Sequence, residues 1–148
     1  MVIDICRVFS SFIFCILISG CSLTAPEKSD DIPDSTLTPV SEIEKAFQNQ
    51  RSNFSVTVKG TVTRILSDDN SGDRHQRFII KLSNKQTLLI AHNIDIAPRV
   101  SGLSVESVVY AHGDYVWNDE GGLVHWTHLD PDGSHEDGWI LFNGKKYQ

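Results

Sequence analysis

Apolar and polar residues alternate from residue 54 onward with the period of two that is typical of half-buried β-strands. Gly60 interrupts the first alternating stretch, and a glycine inside a strand usually marks a bulge or a sharp bend. Such a bend lets one long strand serve two halves of a small barrel. The pattern predicts further strands at 76–82, 86–91, 106–117 and 123–127, and Asn143-Gly144 suits a type I′ turn between two last short strands.

A helical pattern precedes these strands. Val40, Ile43 and Phe47 fall on one face of a helix, which predicts a short amphipathic helix over 41–51. Ser41 and Glu44 have the spacing of a capping box. One helix followed by short strands predicts a mainly β protein, built as a small closed antiparallel OB-like barrel. A parallel α/β fold is disfavoured because no ten-residue helical pattern separates the strands.

The N-terminus carries an apolar run, Val8 to Ile18, long enough for the core of a signal peptide and too short for a permanent transmembrane helix. Ser19 and Gly20 then precede Cys21, and this arrangement resembles the lipobox of bacterial lipoproteins. The resemblance implies that residues 1–20 are removed and that the Cys21 thiol receives a diacylglycerol. Ser22 rather than an aspartate follows, which by the same resemblance favours the outer membrane, facing the periplasm. The alternative is an ordinary signal peptide with a spare cysteine.

Composition narrows the function further. Residues 21–39 are rich in proline and acids and poor in large apolar side chains, which predicts a flexible tether before a single domain at 40–148. Cys6 and Cys15 lie in the segment to be removed, so disulfides, thiolate zinc sites and cysteine nucleophiles are excluded from the mature domain. The formal net charge of -6 makes non-specific nucleic-acid binding unfavourable. We expect a monomer.

Two motifs identify a family. HNIDIAPR at 92–99 and HWTH at 125–128, within a match that runs from about Thr57 to Gln148, resemble an uncharacterised bacterial family, a domain of unknown function (3465) noted for its HWTH motif. The resemblance indicates the family but implies no activity or mechanism, because no activity of the family can be carried over. Separately, the order of helix and strands is similar to small periplasmic OB-fold proteins, which bears on architecture alone.

The HWTH region holds the densest set of candidate ligand-binding side chains: His125, Trp126, His128 and His135. Imidazoles and a carboxylate could form a zinc site with three protein ligands and a water. Residues three apart in a strand point to opposite faces, so His125 and His128 converge only if the chain turns near Thr127. The alternatives are a metal-free polar pocket or a structural role, with Trp126 packed in the barrel.

Two further groups complete the candidate site. Arg74, His75 and Arg77 follow a long polar loop, and either arginine could bind a carboxylate or a phosphate with two hydrogen bonds. The alternative is a solvated edge in which nearby aspartates neutralise the arginines. His92 begins the HNIDIAPR motif, where a structural Asp95–Arg99 pair is the expected feature.

These features favour a lipid-anchored binding or accessory module, which engages a polar or anionic envelope ligand through loop 67–77 and the HWTH region. No known catalytic motif is present. The competing hypothesis is a metal-dependent hydrolase, similar to a phosphodiesterase or nuclease, that uses the histidine cluster as ligands or general base. A purely structural role for the histidines is the third. The sequence indicates no particular cofactor.

Overall fold

The computed structural model describes residues 32–148. The predicted signal peptide (1–20), the predicted lipidation site Cys21 and the first part of the predicted tether (21–31) lie outside these described residues. Within them, no helix combines the length and the apolar character needed to cross a bilayer. The elements are one α-helix, α1 (Val40–Gln48), and seven strands: β1 (Phe54–Ile65), β2 (His75–Lys81), β3 (Thr87–Asn93), β4 (Val108–Val116), β5 (Leu123–His125), β6 (Trp139–Phe142) and β7 (Lys145–Tyr147).

The first five strands close into a barrel, as the alternation predicts. Their order is β1-β2-β3-β5-β4, and a pairing between β1 and β4 closes the ring. The predicted mainly β fold, a closed OB-like barrel preceded by one short helix, is confirmed. One pairing, β3 with β5, is parallel, because β5 inserts between β3 and β4. The β6–β7 hairpin extends the sheet beyond β4, with Asn143 and Gly144 at its turn in left-handed backbone conformations.

Strand β1 serves two halves of the barrel. Thr61 lies opposite both Val108 of β4 and Lys81 of β2, so the strand exchanges one partner for the other at this residue. A Cβ atom on Gly60 would lie only 2.9 Å from the Cβ of Ile80, and the bend therefore needs a glycine there. The shift in register follows slightly later, between Val62 and Arg64.

Helix α1 covers one end of the core with Ile43 and Ala46. It begins at Val40 after Pro39, and no side chain caps it, so the predicted Ser41–Glu44 capping box is wrong. The physical reason is that the Pro39 carbonyl accepts the backbone N–H groups of Glu42 and Ile43, at 2.8 and 3.4 Å, which leaves Ser41 inside the first turn. The helix also ends earlier than expected, at Gln48 rather than residue 51.

The residues before α1 run alongside β1 in space. Asp34–Thr36 form a 3-10 turn. The backbone N–H of Thr38 then donates to the Thr57 carbonyl and its hydroxyl oxygen accepts from the Thr57 N–H, both at 2.9 Å. This lead-in segment, residues 34–38, is therefore fixed to the barrel, although it falls within the predicted tether.

The barrel has a buried interior and an outer face that carries the polar chemistry. In β4, Ala111, Gly113 and Tyr115 are buried, and His112 and Asp114 alternate with them toward the outside. His125 lies opposite Asp114, and Trp139 lies opposite His112. Residues 126–138, the HWTH loop, leave β5 and return to β6 beside the same strand.

Candidate functional site

The HWTH motif is divided between the outside and the inside of the barrel. His125 ends β5 half-buried, and Trp126 then adopts a left-handed conformation with φ of 56° that reverses the chain. Thr127 and His128 follow as buried residues. The reversal needs glycines around it, because a Cβ on Gly113 would lie 2.2 Å from the His125 carbonyl oxygen, and one on Gly138 would lie 1.7 Å from that of Trp126.

His92 lies inside the barrel and is fully buried. Its Nε2 is 3.0 Å from the Pro98 carbonyl oxygen, which can only accept, and its Nδ1 is 2.9 Å from the Thr127 hydroxyl. A neutral ring satisfies both contacts, with Nε2–H donating to Pro98 and Nδ1 accepting from Thr127. Burial lowers the pKa of His92 further. His92 was predicted to bind a ligand, and the structure places it where it joins the HNIDIAPR and HWTH motifs instead.

His128 is also enclosed. It is 5% exposed, its Nδ1 lies 2.7 Å from the Leu129 carbonyl oxygen, and its ring packs 5.2 Å from that of Trp126. Since His125 points outward and His128 is buried, the two histidines of the motif do not share one surface. The turn that the sequence required is present, and the two rings remain close enough for the charge of His128 to lower the pKa of His125, although one ring is buried and the other half-exposed.

His135 forms an ion pair on the outer face with Asp114. Its Nε2 is 2.8 Å from the Asp114 carboxylate, and its Nδ1 is 2.8 Å from the Glu136 carbonyl oxygen. Both partners only accept hydrogen bonds, so both ring nitrogens must carry protons, and the imidazolium is the form that fits. The bond to the Glu136 carbonyl, followed by that to Asp114, raises the pKa of His135. The Trp126 ring packs against it at 4.4 Å.

A second imidazole–carboxylate pair lies next to the first. His112 Nε2 is 3.3 Å from Glu136, and its Nδ1 is 2.8 Å from the Thr57 hydroxyl. Ser55 donates to the other oxygen of Glu136 at 2.7 Å, and this bond, together with the charge of His112, lowers the pKa of Glu136. The Trp139 ring stacks on that of His112 at 5.6 Å between centroids.

His125 completes this region of the surface. It lies opposite Asp114 in the pairing of β4 with β5, and burial lowers its pKa, partly offset by the charge of Asp114. We call the five groups that meet here the imidazole–carboxylate site. Its members are His112, Asp114, His125, His135 and Glu136.

Three members of the site, His112, Asp114 and Glu136, were not among the residues singled out from the sequence. Their contacts join residues that are far apart in the chain, such as Ser55 and Glu136, and no local motif contains both. A signal was present in β4, where two polar residues occupy alternate positions in an otherwise apolar strand. Alternation places such residues together on the outer face.

The arginines of loop 67–77 are held by partners within the chain. Arg74 Nε is 2.7 Å from Asp95, whose other oxygen accepts the Arg74 backbone N–H at 2.7 Å. Arg77 donates twice to the Ser67 carbonyl, at 3.1 and 3.0 Å. Arg99 pairs with Asp68, so the expected Asp95–Arg99 pair is wrong. Asp95 lies against Arg74, and Asp68 lies against Arg99, so Arg99 finds its carboxylate in loop 67–77 rather than at Asp95.

His75 lies at the start of β2 and keeps its Nδ1 2.8 Å from the Asp73 carbonyl oxygen. It belongs to the same outer side of β2 as Arg77, as the alternation predicts. The charge of His75 nevertheless reaches His125 and lowers the pKa of that imidazole, so this edge lies near the imidazole–carboxylate site.

A metal site requires three converging ligands. Among residues 32–148, no group of three or more histidine, cysteine, aspartate or glutamate side chains is placed to hold a metal ion. The causes are geometric: His128 is buried with its Nδ1 on the Leu129 carbonyl oxygen, and His135 is occupied by Asp114.

The chain belongs to a family described as "Protein of unknown function (DUF3465)", whose model matches residues 32–148. The match begins two residues before the lead-in segment and includes every strand of the barrel. No curated protein matches the chain.

Proposed function

For this member of the DUF3465 family, we propose a lipid-anchored envelope protein whose barrel binds a polar ligand at the imidazole–carboxylate site. The observation that carries the proposal is the adjacency of two imidazole–carboxylate pairs on the outer face of β4, Asp114–His135 and Glu136–His112. Loop ends held by a rigid barrel are where binding residues are commonly found.

The chemistry of the site favours a neutral, hydroxylated ligand over an anion. Asp114 and Glu136 carry negative charge, and the HWTH loop adds Asp130 and Asp137, so a phosphate would be repelled. The arginines that would attract an anion are already paired. A hydroxyl group donates to a carboxylate and accepts from an imidazole, and the site offers both. Saccharides of the cell envelope present such hydroxyls, and OB-folds are known to bind oligosaccharides.

The anchor is the second part of the proposal. Cys21 would carry the lipid, with the barrel in the periplasm at the outer membrane, as the lipobox resemblance implies. Radiolabelled palmitate fed to cells should enter the wild-type protein and be lost on Cys21→Ser. Label that survives this substitution would refute the anchor.

Binding can be tested by co-sedimentation of the purified protein, in detergent micelles, with purified peptidoglycan sacculi. We expect the wild type to sediment, and His135→Ala and Glu136→Gln each to weaken binding about tenfold, because each removes a charged hydrogen-bonding group. Glu44→Gln is the matched control, since it neutralises a carboxylate exposed on α1, outside the site, and should bind as the wild type does. If all three variants bind like the wild type, the site is structural; if the wild type fails to sediment, the saccharide is wrong.

One observation favours a second candidate, a hydrolase. A carboxylate that orients an imidazole whose other nitrogen lies 2.8 Å from a hydroxyl, as Glu136 does His112 beside Thr57, is also the arrangement of a general base. The metal-dependent form of this hypothesis predicts that purified protein contains stoichiometric zinc, lost on His128→Ala. If elemental analysis detects no bound metal and added divalent ions do not change the melting temperature, that form of the hypothesis is excluded.

A further inference from the structure

The molecule has a second polar region, a groove bordered by lysines around the middle of β1. Its cavity volume is about 460 Å³, and Lys59, Lys81 and Lys85 lie along it with Thr61 and Ser83. We call it the lysine groove. Val108 and Lys59 also border a second cleft of about 550 Å³, lined by hydroxyls of Ser104 and Ser107, so the two form one continuous depression. None of the described residues that line either cleft is acidic.

This concentration of positive charge contrasts with the protein as a whole. The chain has a formal net charge of -6 and seven lysines, of which three border the groove. A local field of this sign attracts anionic groups despite the net charge, because charges farther away than about 10 Å are screened by salt.

The lysine groove lies on the side of the barrel where the chain arrives from the N-terminus. Asp34, Leu37 and Thr38 of the lead-in segment line a neighbouring cleft together with Lys59, Leu82 and Ser83. Two hydrogen bonds, one between backbone groups and one from the Thr57 N–H to the Thr38 hydroxyl oxygen, join Thr38 to Thr57, two residues before Lys59. The point at which the tether meets the domain is therefore beside the groove.

The tether is short. Ten residues, 22–31, separate Cys21 from Ile32, and a chain of that length reaches at most about 40 Å. A lipid on Cys21 would hold the lead-in segment, and the groove beside it, close to the surface of the bilayer. A polybasic surface near an anionic leaflet gains binding energy from each lysine.

We propose that the lysine groove docks on the headgroups of anionic phospholipids in the membrane that carries the anchor, and that the barrel is oriented on that surface. The proposal rests on the proposed lipid anchor. Charge complementarity and the position of the tether select this occupant over a soluble anion. Many peripheral membrane proteins bind membranes through a lipid chain and a basic patch together. The lipid on Cys21 and the three lysines of the groove would supply these two contributions.

The test uses the full lipidated protein, reconstituted into vesicles of phosphatidylethanolamine with phosphatidylglycerol or of phosphatidylcholine alone. A membrane-impermeant amine reagent labels the lysines, and mass spectrometry measures the rate at each. We expect Lys81 and Lys85 to label about fivefold more slowly on the anionic vesicles, while Lys45, exposed on α1, labels equally on both. Added salt at about 0.5 M should abolish the difference, because it screens the lysine charges.

Lys59 should also be protected from labelling on the anionic vesicles, and a double charge reversal, Lys81→Glu with Lys85→Glu, should remove this protection. Lys45→Glu with Arg64→Glu changes the charge equally outside the groove lining and should leave that protection intact. An intact mass without diacylglycerol would refute the anchor. A lipidated protein whose Lys81 and Lys85 label at the same rate on both kinds of vesicle would overturn the docking proposal alone.

Discussion

His92 and His135 are two histidines of one barrel that have opposite charge preferences. His92 is fully buried between a carbonyl and a hydroxyl and is neutral, and burial lowers its pKa. His135 lies on the outer face between a carbonyl and a carboxylate and is cationic, and the bonds to Glu136 and Asp114 raise its pKa. Each contacts the HWTH motif, His92 through Thr127 and His135 through Trp126.

The difference teaches that the hydrogen-bond partners of a histidine, rather than its proximity to a motif, decide its role. A hydroxyl can donate or accept, so it lets a ring remain neutral, whereas two acceptors require both ring protons. The HWTH motif therefore has two functions: Thr127 and His128 close the barrel interior, and His125 and Trp126 build the outer face.

The largest expected effect is that of His92→Ala on stability. The substitution leaves a cavity and removes the partners of the Thr127 hydroxyl and the Pro98 carbonyl, and we expect a loss of about 3 kcal/mol in the free energy of unfolding. Urea unfolding followed by circular dichroism measures it. His135→Ala is the matched control on the outer face and should cost at most about 1 kcal/mol, since its ion pair is partly solvated. Equal losses for the two variants would contradict the comparison.

A smaller effect is expected in the pH dependence of stability. The pKa of His92 and of His125 is lowered on folding, so the unfolded chain binds more protons, and their contribution is lost as pH falls below about 6.5. The pKa of His135 is raised, so its contribution is present below about pH 6.5 and lost as pH rises above it.

Urea unfolding between about pH 8 and pH 5 separates these contributions. We expect the free energy of unfolding to fall more steeply toward acid pH in His135→Ala than in the wild type, because the opposing contribution is gone. A shallower fall in that variant would mean that His135 is neutral in the folded protein.

The smallest expected effect is on a single pKa. Asp114→Asn keeps the shape of the side chain and removes its charge, so the pKa of His135 should fall, yet not fully, since the bond to the Glu136 carbonyl contributes most. Nuclear magnetic resonance of the imidazole protons measures this. Asp132→Asn is the control: it neutralises an exposed carboxylate in the HWTH loop, which also contains His135, and it should leave the pKa of His135 unchanged. An unchanged pKa in Asp114→Asn would show that the ion pair does not form.

The fold was predictable because it depends on local regularities. Alternation located the strands, and Gly60 marked the bend that lets β1 contact both β2 and β4. The helix start was missed because the helix begins at Val40, which places Ser41 inside the first turn rather than at the cap position.

The site was only partly predictable because its contacts are long-range. His125, Trp126 and His135 were identified from the sequence, but Asp114, which pairs with His135 and lies opposite His125, comes from β4. Whether Asp95 pairs with Arg74 or Arg99 depends on loop geometry that spacing does not encode.

The most direct test of the proposed site is a nuclear magnetic resonance titration of the imidazoles with soluble glycan fragments released from peptidoglycan by a muramidase. Our account predicts that the ring resonances of His112, His125 and His135 shift in a saturable way, while those of the enclosed His92 and His128 stay in place. Shifts confined to His75, or none at millimolar fragment, would contradict a saccharide site on the outer face of β4.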